Sequence, residues 1–305
     1  MQSDVGSPRQ AGAISGPKFV AVGHVTRDLT PSGDRLGGTA AYAARTAARL
    51  GLDANLVTRA APFAPLDALR TEVTVHNAGS PHCTTFENVY EGAQRRQYLH
   101  ARAQPIAAQD IPSSLRQSPI ALFGPVAQEI QPDLLDCASS ATVRVVVPQG
   151  WLRAWNEDGA VQPVAWRDAE AIRGRCDVLV LSVDDLEREP QSLDARTRLA
   201  PLVVITRGRN GADVYADARL IYWARAYRAN EVDPTGAGDV FAAAFAIGLQ
   251  QRGDPVWAAD FAGSAAAFAV EGPGSDGIAT AEQVLERMAA GDRVGVKRDR
   301  GMAWQ

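Results

Sequence analysis

The chain is short of the side chains that cross-link small secreted proteins or bind transition metals. Its 305 residues include three cysteines and four histidines. The cysteines, Cys83, Cys137 and Cys176, lie far apart and form no CxxC pair. This spacing excludes a disulfide framework and a zinc-finger motif and fits a reducing compartment, so we expect a cytoplasmic location.

Long apolar runs, charge of one sign and a P-loop are also missing. No segment reaches the roughly 20 apolar residues of a transmembrane helix, so no membrane partner is expected. Lys and Arg number 31 and Asp and Glu number 35, which gives a formal net charge of −4. This near balance indicates no surface for nucleic acids. The P-loop signature GxxxxGK followed by Ser or Thr does not occur, which excludes the P-loop kinases.

The two ends of the chain are polar. Residues 1–17 are rich in Ser, Gly, Pro and Gln and lack the apolar core of a signal peptide, so we predict a disordered leader. Residues 293–305 include a short basic stretch and are predicted to form a solvated tail. A single folded domain is therefore expected over residues 18–292.

Short apolar runs alternate with helical segments along this domain. Runs typical of buried strands occur near residues 19–23, 55–59, 120–126, 143–148, 177–181 and 202–206. The alternation predicts an α/β fold with a mainly parallel, doubly wound sheet and helices on both of its faces. Turn signals at residues 91–93 and 158–159, each between short polar segments, predict two β-hairpins.

The strongest local signal lies at residues 230–249. Pro234 restricts Asp233 to extended geometry, and two glycines favour a tight turn before an alanine-rich helix. The N-terminus of such a helix presents unpaired amides and a positive dipole end, which predicts an anion site. A carboxylate, Asp239, lies within the first turn of this helix.

This arrangement suits phosphoryl transfer. The amides of Gly236, Ala237 and Gly238 can stabilise negative charge on a phosphoryl group. Asp239 can accept the proton of an attacking hydroxyl. From the residues alone the alternative is that Asp239 only caps the helix.

The string from Asp233 to Asp239, DPTGAGD, resembles the C-terminal signature of the ribokinase-like (PfkB) carbohydrate kinases. The resemblance covers roughly residues 18–290. It implies an ATP-dependent kinase that phosphorylates a hydroxyl of a small sugar or cyclic polyol and uses Mg²⁺. It also implies that Asp239 is the catalytic base, that Gly236 to Gly238 form the anion hole, and that Asp233 lies near a loop for the nucleotide and a monovalent cation such as K⁺.

The same resemblance implies where the acceptor binds. A glycine pair, Gly37 and Gly38, opens an alanine-rich helix, and the family has such a pair in contact with the sugar. Asp28 stands near the place of the family's acid that binds sugar hydroxyls. Tyr42 falls where ribokinase proper has a sugar-contacting Asn, which argues against ribose. The alternative for the glycine pair is a tight entry to a packing helix.

A second group of acceptor contacts is predicted after the strand at residues 143–148. Gln149 and Arg153 follow the carboxyl end of this strand, where open α/β sheets bind ligands. The alternative is a loop that packs around Trp151.

The donor site follows from a further likeness. Residues 206–211 resemble the family's Thr-x-Gly-x-x-Gly nucleotide loop, although alone they could form a turn. The residues implied in nucleotide binding are Thr206, Gly208, Gly211, Asp233, Thr235, Gly236, Gly238, Ala266 and Val270. The family's Asn-x-x-Glu metal motif corresponds to Ser182 and Asp185 here, so Asp185 is the implied Mg²⁺ residue. The alternative is an acidic helix N-terminus.

The resemblance also assigns a lid and favours one acceptor. Residues 25–36 and 84–102 would form a small β-lid over the sugar site, or else an ordinary surface hairpin, and a homodimer through the lid is a further expectation. Residues 37–42 and 149–153 are most like the myo-inositol kinase branch, which favours a myo-inositol-like polyol. Other sugars, a nucleoside kinase of the same fold, and a non-catalytic sugar-binding or regulatory protein remain open.

Overall fold

The computed structural model describes residues 18–31, 33–91, 94–187 and 193–295. The predicted leader at residues 1–17 and the greater part of the predicted tail lie outside the described residues. None of the helices in the described ranges has both the length and the apolar character needed to cross a bilayer.

The described residues form strands and helices in an order that matches the predicted alternation. The strands are β1 (Lys18–Val22), β2 (Thr26–Thr30), β3 (Gly33–Gly37), β4 (Asp53–Thr58), β5 (Thr74–Asn77), β6 (Thr84–Glu91), β7 (Gln94–Ala101), β8 (Ile120–Phe123), β9 (Val143–Val146), β10 (Arg153–Trp155), β11 (Val161–Pro163), β12 (Val178–Ser182), β13 (Leu202–Thr206), β14 (Ala212–Ala216) and β15 (Arg219–Ala224). The helices are α1 (Thr39–Arg49), α2 (Asp67–Arg70), α3 (Val183–Glu187), α4 (Leu193–Thr197), α5 (Ala237–Arg252), α6 (Pro255–Ala269) and α7 (Ala281–Ala290).

Nine of the strands form one large sheet in the order β15-β14-β13-β12-β9-β8-β1-β4-β5. The neighbours from β13 to β5 are parallel, and only β14 and β15 are added antiparallel at one edge. The inner strands are almost wholly apolar because both faces of a parallel sheet are covered. The predicted α/β fold with a mainly parallel, doubly wound sheet is confirmed.

The two faces of the sheet are covered differently. Alternate residues of β1 point to opposite faces, so Phe19 and Ala21 join one apolar core and Val20 and Val22 the other. Helices α1, α5 and α6 cover the first face. The second face is covered mainly by short 3₁₀ turns, at Ala108–Asp110, Ser113–Leu115, Pro132–Cys137 and Ala169–Ile172, where the alternation predicts full helices.

A smaller sheet lies beside the carboxyl ends of the main strands. Strands β2, β3, β6 and β7 form this lid sheet in the order β3-β2-β6-β7. The β10–β11 hairpin extends it, because the Leu99 amide donates to the Gly159 carbonyl at 2.8 Å. Both hairpins expected from turn signals are therefore present. Phe86 and Leu99 of the lid sheet pack on Val126 of the main domain.

A buried carboxylate fixes the point where the chain leaves β1 for the lid sheet. The Glu129 side chain is fully buried and accepts hydrogen bonds from three backbone amides. The donors are His24 at 2.9 Å, Val126 at 3.0 Å and Ala127 at 2.7 Å. Three charge-assisted bonds of this kind compensate for burial of the negative charge.

The imidazole of His24 links the same junction to the strands of the lid. Its Nε2 atom lies 2.9 Å from the Gln104 carbonyl, so Nε2 carries the proton and donates it. The Thr84 hydroxyl donates to Nδ1 at 2.7 Å and accepts from the Ala103 amide at 3.1 Å. Burial lowers the pKa of His24, which keeps the ring neutral and suits this pattern.

The C-terminal boundary of the domain differs from the predicted one. Arg293 donates to the Asp260 carboxylate and to the Tyr227 hydroxyl, both at 2.7 Å. The Val294 amide donates to the Ala226 carbonyl at 2.9 Å. Residues 293–295 therefore belong to the domain, and the predicted tail begins too early because these contacts join residues distant in sequence.

Removal of the Glu129 carboxylate is expected to destabilise the protein strongly. Glu129→Ala leaves three buried amides unpaired, and each costs about 1–3 kcal/mol, so the free energy of unfolding should fall by about 3 kcal/mol or more. Urea unfolding measures this change. Glu157 is exposed, and Glu157→Ala should stay within about 0.5 kcal/mol of wild type. Equal stabilities for the two variants would contradict the assignment of Glu129.

Candidate active site

A cavity of about 710 Å³ lies between the carboxyl ends of the main strands and the lid sheet. Open α/β sheets bind ligands at this end of their strands. Thr206, at the end of β13, lies on one side of the cavity, and Asp28 and Phe86 of the lid sheet lie on the other. The N-termini of α1 and α5 form part of the wall between them, at residues 38–39 and 236–239.

The start of α5 has the geometry of an anion site. Gly236 adopts φ +79°, which strongly favours glycine, and a Cβ atom there would collide with the ring of Tyr42. Among the described residues, the amides of Gly236 and Gly238 have no backbone carbonyl partner. The Ala237 amide, predicted to belong to the anion hole, instead donates to the Pro234 carbonyl at 3.3 Å. The candidate anion site is therefore formed by Gly236 and Gly238.

Asp239 lies in the first turn of α5, and its side chain reaches the cavity. Burial raises the pKa of its carboxyl to about 6, against the opposing effects of the Thr39 hydroxyl and the Arg153 guanidinium. Such a group is ionised at neutral pH, yet it binds a proton more readily than an exposed aspartate does. Both properties suit a general base.

The Asp233 carboxylate lies between two loops. It accepts from the amides of Thr235 and Gly274, each at 3.0 Å, and lies 3.6 Å from the Arg35 guanidinium. Burial opposes ionisation, but these bonds and the Arg35 charge outweigh it and lower the pKa of Asp233. Asp233 ties these two loops together and is not among the described residues that line the cavity, so its predicted role near the nucleotide and a monovalent cation stays a prediction.

The acceptor side of the cavity contains most of the predicted residues. Gly38, Gln149 and Arg153 line it together with Asp28. Gly37 does not line it, because Gly37 lies behind Asp28 and a Cβ atom there would collide with that carboxylate.

Tyr42 packs behind the candidate anion site. It lines the cavity with a ring that is only 5% exposed and that packs against Gly236. Burial, and then the negative charges of Asp239 and Asp233, raise the pKa of its hydroxyl well above the usual value. The contact with Gly236 makes Tyr42 a support for the anion site, whereas the sequence assigns it to the acceptor alone.

The donor side contains the predicted nucleotide loop. Gly208 and Gly211 line the cavity with φ of +52° and +91°, and a Cβ atom at Gly211 would collide with the Ala224 carbonyl. Thr206 and Thr235 also line it. The far wall is built from small or apolar residues of α6 and the residue after it: Gly263, Ala266, Ala267 and Val270.

Of the two adjacent acidic residues at the start of α3, Asp184 lines the main cavity and Asp185 does not. The Asp185 carboxylate accepts from the Ser182 amide at 2.9 Å, and the Ser182 hydroxyl accepts from the Asp184 amide at 3.1 Å. This reciprocal pair caps α3 and turns Asp185 towards a second cavity of about 480 Å³. The assignment of Asp185 to Mg²⁺ stays a prediction, and the capping bond matches its alternative, an acidic helix N-terminus.

The described residues contain no group of three or more His, Cys, Asp or Glu side chains that could hold a metal ion. Asp184 is exposed at the edge of the main cavity. One carboxylate of this kind fits Mg²⁺ that arrives with a phosphate ligand, because Mg²⁺ keeps several waters and commonly binds one or two protein carboxylates.

Sequence reasoning missed several residues that line the cavity. They are Thr39, Phe86, Gln97, Val126, Asp184 and Asn210. Thr39 directly follows the glycine pair, and this position in the sequence could have indicated that Thr39 lies at the site. Phe86 and Gln97 reach the cavity only because β6 and β7 pair and fold over the main sheet, which no local pattern specifies.

Comparison with known proteins gives a match to a family model over part of the chain, and a shared fold. Residues 137–281 match the model of the pfkB family carbohydrate kinases. The chain is 35% identical over 159 residues to an inositol 3-kinase of Zea mays, covering 52% of this chain and 41% of that protein. The chain thus spans less than half the length of this relative. It is 26% identical over 253 residues to a cytidine kinase of Thermococcus kodakarensis, covering 78% of this chain and 90% of that protein.

A solved structure shares the fold. It is a pyrophosphate-dependent kinase in the ribokinase family, complexed with a pyrophosphate analog and myo-inositol. The TM-score is 0.73 at 21% identity, and the match covers 88% of this chain and 99% of that one. The ribokinase-like fold predicted from the sequence is confirmed.

Two glycines of the anion site should respond oppositely to alanine. Gly236→Ala places a Cβ atom against Tyr42 at positive φ and should lower the free energy of unfolding by about 2 kcal/mol or more. Gly238 is helical with open space around it, so Gly238→Ala should keep or raise stability, by up to about 1 kcal/mol. Urea unfolding tests both, and equal effects would refute the proposed support of Gly236 by Tyr42.

Proposed function

Because residues 137–281 match the model of the pfkB family carbohydrate kinases, we propose that the chain is a kinase acting on a hydroxyl of a small polyol or sugar. The donor is a nucleoside triphosphate, and a myo-inositol-like ring is the favoured acceptor. One observation carries the proposal. Asp239 reaches the cavity beside the two unpartnered amides of Gly236 and Gly238, opposite a lid sheet that bears a second carboxylate, Asp28.

The chemistry follows from this placement. Asp239 takes the proton of the acceptor hydroxyl as its oxygen forms a bond to the terminal phosphorus, and the bond to the leaving phosphate oxygen breaks. The amides of Gly236 and Gly238 and the positive end of α5 stabilise negative charge on the transferred group. The lid sheet excludes water, which would otherwise compete as the acceptor.

The acceptor side suits a neutral ring with many hydroxyls. Asp28 can accept hydrogen bonds from hydroxyls, whereas Arg153 and the amide groups of Gln97 and Gln149 can donate to them. Phe86 adds an apolar surface for the ring face. The match to an inositol 3-kinase and the fold shared with a kinase complexed with myo-inositol support the same acceptor class.

The donor side suits a nucleotide base. The small residues Gly263, Ala266 and Ala267 line a wall with room for a planar ring, and Val270 adds apolar surface. Pyrophosphate would leave this wall unused, which favours ATP. The structural neighbour that depends on pyrophosphate makes pyrophosphate the second donor to test. Mg²⁺, when bound with the donor, neutralises phosphate charge, and Asp184 would hold it through water.

Other readings of the same site stay open to experiment. The match to a cytidine kinase favours a nucleoside as the second candidate acceptor. A sugar-binding protein without turnover is the non-catalytic candidate. A monovalent cation site, dimerisation through the lid sheet and a cytoplasmic location stay predictions.

The decisive assay measures phosphate transfer across a panel. Acceptors are myo-inositol, other cyclic polyols, fructose, ribose and cytidine, and each is tried with ATP and with pyrophosphate. ATP and pyrophosphate that are labelled in the transferred phosphate report transfer from either donor. We expect the highest kcat/KM for a cyclic polyol with ATP and a poor value for ribose. The highest value for cytidine would favour a nucleoside kinase, and no transfer to any acceptor would favour the non-catalytic reading.

The matched control for this panel is Asp239→Asn. General-base catalysis typically contributes a factor of ~10² to 10⁴ in rate, so kcat should fall by a factor within or beyond this range. The variant should stay folded and still bind the donor. Asn is also a good helix cap, so a carboxylate with only a capping role would change kcat little. A variant that keeps more than about a tenth of wild-type kcat would remove Asp239 from the chemistry.

A separate prediction concerns the metal. Asp184→Asn should raise the Mg²⁺ concentration needed for half-maximal activity several-fold, because the carboxylate that would hold the hydrated metal is lost. Asp185→Asn should instead lower thermal stability modestly and leave the Mg²⁺ requirement unchanged, because Asp185 caps α3. Titration of activity with Mg²⁺ measures both, and the reverse order of effects would support the assignment of Asp185 to Mg²⁺.

A further inference from the structure

The hydroxyl of Thr39 is an unpartnered polar group at the wall of the main cavity. Thr39 is 1% exposed, and within the described part of the chain its Oγ1 atom has no hydrogen-bond partner. Buried polar atoms are almost always paired, so a hydroxyl without a partner at the wall of this cavity needs an explanation.

The usual roles of a threonine at a helix start do not explain it. The N-cap position of α1 is occupied by Gly38 at φ +99°, and no side chain caps the helix. Thr39 is the first helical residue, so its hydroxyl has no N-cap geometry. Another buried threonine of the same helix shows the ordinary solution, because the Thr46 hydroxyl donates to the Tyr42 carbonyl at 2.8 Å.

Packing fixes the orientation of the Thr39 side chain. Its Cγ2 methyl lies against Gly124, where an added Cβ atom would collide with it. Gly124 directly follows β8, so the methyl fills the space that a side chain at the end of this strand would take. With the methyl held on this side, the hydroxyl is directed elsewhere, towards the cavity that Thr39 lines.

The hydrogen-bond acceptor that suits the Thr39 hydroxyl is the carboxylate of Asp239. The charged group that acts on that carboxyl is Arg153. Asp28, Asp233 and Arg35 act, as Asp239 does, on the neighbouring Tyr42 hydroxyl. Arg153 has donors only, so it cannot accept the proton of a hydroxyl. The interaction with Thr39 already opposes the effect of burial on the pKa of Asp239, although the bond is not formed in this structure.

We propose that Thr39 is a positioning residue for Asp239: in solution its hydroxyl donates a hydrogen bond to the carboxylate, with or without bound substrate, and keeps it ionised and aimed at the substrate hydroxyl. The inference rests on the proposed function, in which Asp239 is the base. It adds a residue from α1, so that the N-termini of two helices together orient the reacting carboxylate.

The test compares Thr39→Val with Thr39→Ser. Valine keeps the Cγ2 methyl and has a second methyl in place of the hydroxyl, whereas serine keeps the hydroxyl and loses the methyl. The titration of Asp239 is followed by carbon-13 NMR of labelled aspartate in the unliganded protein, with Asp239→Asn identifying the resonance. We expect a wild-type midpoint near 6, a rise of about one pH unit in the valine variant, and a wild-type midpoint in the serine variant.

Kinetics provides a second readout on the same variants. Asp239 must be ionised to act, so activity is present above its pKa and is lost as pH falls through it. With a midpoint moved from about 6 to about 7, Thr39→Val should lose about fivefold in kcat/KM at pH 6 and less than about twofold at pH 8.5. A merely structural defect would lower both values equally.

Thr46→Val is the matched control, because it removes a buried hydroxyl from the same helix without touching the cavity. It should leave the Asp239 midpoint unchanged. A midpoint in Thr39→Val equal to wild type, or an equal shift in Thr46→Val, overturns the inference. If the valine variant does not fold, Thr39→Ala is measured in its place. The NMR titration needs no substrate, so the absence of kinase activity would refute the proposed function and leave this test decided on its own.

Discussion

The contact between Tyr42 and Gly236 is the constraint on which the catalytic end of the cavity depends. The ring of Tyr42 occupies the space where any side chain at position 236 would lie, so the chain can turn at positive φ and start α5 at this point. The turn leaves the amides of Gly236 and Gly238 free to bind an anion, and it carries Asp239 into the cavity. Two helices that pack side by side thus place the proposed base and the anion site together.

Burial and polar contacts act in opposite directions at this site. Burial raises the pKa of Asp239 to about 6, while the Thr39 hydroxyl and the Arg153 charge limit the rise. At Asp233 the same opposition has the other outcome, because hydrogen bonds from Thr235 and Gly274 outweigh burial. Two carboxylates six residues apart therefore differ in acidity: the pKa of Asp239 is raised, whereas that of Asp233 is lowered and its carboxylate holds two loops together.

The lid sheet depends on a polar junction rather than on a large apolar interface. Glu129 and His24 are fully buried where the chain passes from β1 to the lid, and every bond they make is to backbone or to Thr84. Directional bonds fix the angle at which the lid sheet leaves the main domain more tightly than apolar contacts would. That angle decides which lid residues, among them Asp28 and Gln97, reach the acceptor side of the cavity.

The sequence by itself determined the alternating strands, the parallel sheet, both hairpins and the turn before Asp239, because periodicity, Gly and Pro act locally. Only the tertiary structure decided which predicted residues face the cavity. Asp185 and Asp184 are adjacent, yet a capping bond turns the first away; Gly37 makes room for Asp28 instead of touching a ligand. The orientation of the Thr39 side chain depends on Gly124, which is distant in sequence. Such choices depend on long-range packing, which a local pattern does not encode.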